Sequence, residues 1–111
     1  MNVGNVSQNF DLFKDSIETK EYEFNVGYNS LKIQISSTNE NAIVDITVLG
    51  RTSKEARYES LMGFLDSQYK LKSKIDMLGI FSYDVLGYEE VKIIVNSTDS
   101  PISCHIVEVK E

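Results

Sequence analysis

From residue 21 onward, apolar side chains recur at every second position, a period that commits the chain to extended strands with one face hidden. Tyr22, Phe24 and Val26 alternate with Glu21, Glu23 and Asn25. After a turn at Gly27, Tyr28 and Asn29, Leu31, Ile33 and Ile35 alternate with Lys32, Gln34 and Ser36. Val44, Ile46 and Val48 follow, closed by Gly50. Later come Tyr69, Leu71, Ser73 and Ile75 against Lys70, Lys72 and Lys74, then Phe81, Tyr83 and Val85 between Gly79 and Gly87. In the run 91–95, Val91, Ile93 and Val95 alternate with Lys92, and Ile94 marks a strand covered on both faces. The last strand, 102–109, slips phase from Ile102, Cys104 and Ile106 to Val107 and Val109, which predicts a β-bulge near Ile106. β-branched residues dominate these runs, as strands favour.

Residues 52–67 are ambiguous. Thr52 and Glu55 form a capping box, and Tyr58, Leu61, Met62 and Leu65 have helical spacing. Read as a strand, the segment offers Tyr58, Ser60, Met62 and Phe64 on one face, with Gly63 weakening its interior. The strand reading is preferred, because it yields about eight short strands at the rhythm of a sandwich. The predicted fold is therefore all-β, an antiparallel two-layer β-sandwich of jelly-roll type over residues 20–111. Residues 1–19 differ in composition and read as a polar N-terminal arm, with Phe10, Leu12, Phe13 and Ile17 as apolar anchors. Phe10, Phe13 and Ile17 suit two turns of a short helix, and removing the arm is expected to leave a folded domain.

Bulk properties narrow the function. The chain of 111 residues is one domain, large enough to enclose a core without staples. Its formal net charge is −6, from 17 acidic and 11 basic residues, with no basic stripe of the kind that displaces counterions from nucleic-acid phosphate. No nucleic-acid partner is expected. With Cys104 the lone cysteine, a disulfide framework within the chain is excluded. Residues 1–10 have neither the basic nor the apolar region of a secretory leader, and the apolar runs are too short to cross a bilayer, so synthesis in a cytoplasm and no membrane partner are expected.

Chemistry-bearing motifs are sparse. Cys104 and the single histidine, His105, are strand neighbours, so their side chains diverge and cannot form a nucleophile–base pair. One Cys and one His do not begin a zinc site. No phosphate loop, nucleophile elbow or calcium-binding loop spacing occurs. Asp76 and Asp84 flank the Gly79 turn, where acids chiefly solvate the turn and secondarily offer oxygens to Ca²⁺. No cofactor and no catalytic site are expected. Tyr28, Tyr83 and Tyr88 lie near turns; Tyr28 and Tyr88 are the candidate ligand-facing aromatics for a carbohydrate-binding reading, against packing at the core edge with the hydroxyl in water.

The stretch 75–93, with Gly79-Ile80-Phe81-Ser82-Tyr83-Asp84-Val85-Leu86-Gly87 leading into Val91-Lys92-Ile93, resembles the C-terminal hairpin of small β-sandwich structural proteins of tailed bacteriophages and prophages. The strand 44–50, ending in glycine before a polar loop, fits the same layout. The resemblance spans roughly residues 20–110 and rests on the spacing of apolar residues and glycines. It implies a non-enzymatic virion component, made in the bacterial host cytoplasm and present in many copies. The expected role is capsid decoration, with self-association and contacts to other virion proteins through the arm. The alternatives are a tail, collar or baseplate component, or a sandwich module that binds host glycans.

Overall fold

The structure is a computed structural model that describes the backbone of residues 4–12, 20–25 and 29–110. Ten strands follow in order: β1 (Gly4–Leu12), β2 (Lys20–Asn25), β3 (Ser30–Ser36), β4 (Val44–Arg51), β5 (Glu59–Ser60), β6 (Gly63–Leu65), β7 (Lys70–Lys72), β8 (Gly79–Asp84), β9 (Glu90–Thr98) and β10 (Ile102–Lys110). Among the described residues there is no helix. The strands form two antiparallel sheets, ordered β1-β10-β3-β8-β6-β7 and β2-β9-β4-β5. The fold is an all-β two-layer sandwich.

The order has a simple origin. The pairs β1·β10, β2·β9, β3·β8 and β4·β5 are nested about the chain's midpoint, and successive pairs fall in alternate sheets. Wrapping that long hairpin brings β10 beside β3 and β9 beside β4, which completes each sheet. With the β6–β7 hairpin set aside, the result is the eight-strand double Greek key of a jelly roll. The hairpin is an addition that lengthens the larger sheet beyond β8.

Between the sheets the period-two residues meet. Leu31, Ile33, Ile35, Leu65, Phe81, Tyr83, Ile102, Cys104 and Ile106 come from the larger sheet, and Val44, Ile46, Val48, Val91, Ile93 and Val95 from the smaller. Each fully buried Ile or Phe contributes about 1.5–3 kcal/mol relative to exposure. Ile75, from the segment between β7 and β8, crosses to the smaller sheet and exchanges two 2.9 Å backbone hydrogen bonds with Ile46. Together with β5 and the Leu61 N–H donating to the Val48 carbonyl at 2.8 Å, it covers the open side of β4.

Several sequence expectations are corrected. The segment 52–67 holds no helix: it turns over 52–56 and is a strand only at β5 and β6, and its buried residues are Leu61, Gly63 and Leu65, while Met62 points to solvent. Gly63 is required there: a Cβ would lie 2.5 Å from Tyr83 Cζ. Tyr69 and Leu71 stand exposed, so that strand shrinks to β7 and only Ile75 of its apolar set reaches the core. No bulge interrupts β10, whose register with β1 and β3 is continuous. The apparent slip arises because inward position 108 carries a glutamate, buried at 4% exposure. The bulge lies instead in β9, where Asn96 is skipped between the Asp45–Ser97 and Ile46–Val95 pairs. Asn96 Nδ2 spans the irregularity, donating to Asp45 Oδ1 at 3.2 Å and Thr47 Oγ1 at 2.9 Å.

The N-terminal segment differs most from its reading as an arm. Over Gly4–Leu12 it is a strand of the larger sheet, with Phe10 opposite Cys104 and Leu12 opposite Ile102; Phe13 and Ile17 lie outside the described residues. The reason is the nested pairing, which leaves one side of β10 open until the first strand closes it. Removing residues 1–12 is therefore expected to destabilise the domain rather than spare it. At a net 0.5–1.5 kcal/mol per hydrogen bond the lost ladder is worth several kcal/mol, a large share of the roughly 5–15 kcal/mol that holds a domain folded. Urea unfolding followed by circular dichroism measures this, and an unchanged midpoint would show β1 to be dispensable. Gly63→Ala should independently cost about 1–3 kcal/mol through overpacking against Tyr83, read in the same denaturation.

Candidate functional site

The residues flagged for chemistry in the sequence do not converge. Cys104 faces the core, where burial pushes its thiol up to about 12, and His105 is on the opposite, half-exposed face. Asp76 pairs with Lys72 at 3.0 Å, and Asp84 accepts the Leu86 N–H at 3.1 Å within its own turn. Among the described residues no three His, Cys, Asp or Glu side chains gather as a metal site. Tyr83 is a core residue, its hydroxyl pushed up by burial. Tyr28 lies outside the described residues.

A serine, a lysine and a carboxylate do meet on the outer face of the larger sheet. Lys32 Nζ donates to Asp66 Oδ2 at 2.9 Å and to Ser82 Oγ at 3.0 Å, while Ser82 donates to Asp66 Oδ1 at 2.9 Å. The Lys32 hydrogen bond holds the Asp66 carboxyl below its ordinary range, partly opposed by burial. Held below its ordinary range and engaged by both Lys32 and Ser82, the Asp66 carboxylate is a weak base toward the serine. Exposed pairs of this type contribute about 0–1 kcal/mol.

The other polar cluster lies where β4 ends beside β5 and the β8–β9 loop. Register places Arg51 opposite Glu90 and Gly50 opposite Glu59. Arg51 Nε donates to Glu90 Oε1 at 2.6 Å, a second guanidinium N–H donates to the same oxygen, and a third reaches the Lys54 carbonyl at 3.2 Å. The Tyr58 hydroxyl donates to Glu90 Oε1 at 3.3 Å, and its ring has Arg51 at 4.4 Å and Lys92 Nζ at 4.7 Å from the centroid. Cations over a tyrosine face are held by its quadrupole. The Arg51 guanidinium holds Glu90 below the usual carboxylate range, with burial opposing.

Arg51 of this cluster also lines a groove of about 280 Å³, together with Gly50, Thr52, Ala56, Arg57, Glu59 and Tyr88. Arg57 and Glu59 line this groove, whereas Tyr58 between them does not. Gly50 is the floor, since any side chain there would meet Tyr88 Cδ2 at 2.7 Å and Leu61 Cδ1 at 3.1 Å. Of the two tyrosines singled out in the sequence, Tyr88 thus sits in a groove. Arg51, Arg57, Glu59 and Glu90 were missed because only the register joins them, Arg51 and Glu90 being 39 residues apart.

The fold and this corner define a jelly-roll β-sandwich with a polar groove. No family model and no curated protein matches the sequence. Solved structures share the fold. The chain is similar to the SPBc2 prophage-derived protein YomS, with 19% identity over 97% of this chain and 96% of that one and a TM-score of 0.73. It is also similar to the PBSX exported protein XepA, at 15% identity, 97% of this chain and a TM-score of 0.76, although it spans only 39% of XepA. A Yersinia pseudotuberculosis-derived mitogen shares 11% identity over 97% of this chain and 86% of that one, with a TM-score of 0.50.

The Glu90 carboxylate, depressed in the folded state, contributes stability above its ordinary value of 4.5 that is lost as pH falls through its lower folded value. Glu90→Gln should therefore lower the melting temperature at pH 7 and flatten its decline between about pH 5 and pH 3. Thermal melts across that range check it; parallel curves for the two proteins would contradict the assignment.

Proposed function

We propose that this chain is a non-enzymatic structural protein of a tailed phage, incorporated in many copies as a capsid-associated decoration component. Likeness in fold to the SPBc2 prophage-derived protein YomS, over nearly the whole of both chains, supports the phage setting. The observation that carries the assembly role is the outward surface of the β6–β7 hairpin. Tyr69 is 83% exposed, Leu71 62% and Met62 53%, and Phe64 meets the Tyr69 ring edge-on at 6.2 Å. Tyr69 is held at φ 52°, a left-handed backbone that a bulky aromatic seldom adopts. That backbone closes the turn 66–69 of the hairpin, and the exposed Tyr69 ring with Leu71 and Met62 leaves apolar surface in water of the kind that marks contact sites.

The hairpin also ends the larger sheet, so β7 presents a free edge. Lysines on an edge suppress indiscriminate pairing, and Lys70 and Lys72 occupy this one. An apolar surface with a guarded edge suits a defined contact with another copy or with a neighbouring particle protein. A collar, tail or baseplate position uses the same surface.

Light scattering after size exclusion should show wild-type self-association, and Leu71→Glu with Met62→Glu should give a monomer with an unchanged circular-dichroism spectrum. Mass spectrometry of particles purified from a producing strain should contain the chain. A wild type that is monomeric at every concentration, together with its absence from particles, would overturn the proposal.

A further inference from the structure

We infer that the groove at the β4–β5 corner is a binding site for a neutral saccharide, with Tyr88 as its stacking platform and Arg57 and Glu59 as its hydrogen-bonding pair. The inference is independent of the assembly role, because it uses a different surface.

The first observation is the division of labour between the two arginines. Arg51 is fully engaged by Glu90, the Lys54 carbonyl and the Tyr58 ring. Arg57, two residues before Glu59 and lining the same groove, makes no side-chain hydrogen bond or ion pair among the described residues, and neither do Glu59, Thr52 or the Tyr88 hydroxyl. Four polar side chains thus line one groove with their hydrogen-bonding capacity unused inside the protein. The second is Gly50, whose bare backbone lets the Tyr88 ring pack over it at the edge of the core while the half-buried ring still lines the groove. The third is the Arg51–Glu90–Tyr58 cluster, which fixes Arg51 beside these free groups.

The chemistry selects the ligand. An apolar ring face beside a fork of donors and a two-oxygen acceptor matches a sugar, which has a C–H face and adjacent hydroxyls that each donate and accept. The opposite charges of Arg57 and Glu59 leave the groove without the excess positive field that an anion needs, and the net charge of −6 repels polyanions. At about 280 Å³ the groove is at the small end of ligand sites, enough for one or two sugar rings.

The test is a ¹⁵N NMR titration of the full chain with N-acetylglucosamine oligomers and neutral hexose oligosaccharides, with inorganic phosphate and a sulfated oligosaccharide in parallel. A neutral saccharide should shift the amides of residues 50–59 and 88, with millimolar affinity. Arg57→Ala and Glu59→Ala should each weaken binding about tenfold, the loss expected when a charged hydrogen-bond partner is removed, without moving the melting temperature. Tyr88→Ala should abolish it, and melting of that variant separates lost stacking from lost fold. Shifts insensitive to Arg57→Ala and Glu59→Ala, stronger binding of phosphate or the sulfated sugar, or no shift with any neutral saccharide would each overturn the inference. A protein that binds a sugar but is monomeric and absent from particles would leave this site standing while removing the assembly reading.

Discussion

The nested pairing of strands around the chain's midpoint is the constraint on which the rest depends. Once β4 turns back through β5, every later strand must find a partner on the first half of the chain, and β8, β9 and β10 find β3, β2 and β1 in that order. β10 is the keystone, bonded on one side to β1 and on the other to β3. Because the partners of β1·β10 lie almost a full chain length apart, that contact closes a large loop and gains its stability only when the core between the sheets is in place. The sheet ladder and the hydrophobic layer therefore form together.

Buried carboxylates occur where that layer ends. Glu108 occupies an inward position near the end of β10, while Glu90, one residue before the inward Val91, lies on the outer face at the corner where Arg51 meets it. A carboxylate so placed is tolerable only with partners that repay its desolvation, and at Glu90 those partners are a guanidinium and a tyrosine hydroxyl. The same ion pair fixes Arg51, which lines the groove, so the contact that settles the corner also shapes the candidate site.

Much of the fold was legible because the alternation is strong where the sheets face each other. Leu31, Ile33 and Ile35, or Val44, Ile46 and Val48, can bury only one way. What failed were the places where tertiary contacts decide. Phe10, Phe13 and Ile17 have a helical spacing, yet a missing partner for β10 draws residues 4–12 into a strand. Gly63 weighs against a strand locally, but the Tyr83 ring leaves no room for anything else. Glu108 imitates a bulge by placing a charge on the buried phase. Of the groove, the aromatic Tyr88 was visible from its place near a turn, whereas Arg57 and Glu59 gain meaning only from the register that sets Glu59 against Gly50.

The β6–β7 hairpin shows how a closed fold acquires outward surfaces. The nested plan is complete without it, so its residues answer to less stringent packing than those of β3 or β9. Within it the inward set, Leu61, Gly63 and Leu65, satisfies the core, and the outward set, Met62, Phe64, Tyr69 and Leu71, is released from that duty. The alternation of a strand thereby separates the two surfaces: the apolar patch lies on the outer face of the larger sheet, and the polar groove on the β5 side of the smaller one. A partner covering the patch would leave Arg57, Glu59 and Tyr88 facing another direction. One short run of chain between Gly50 and Lys72 can then serve contact and recognition together, because a two-residue period allows neighbouring side chains to answer to different requirements.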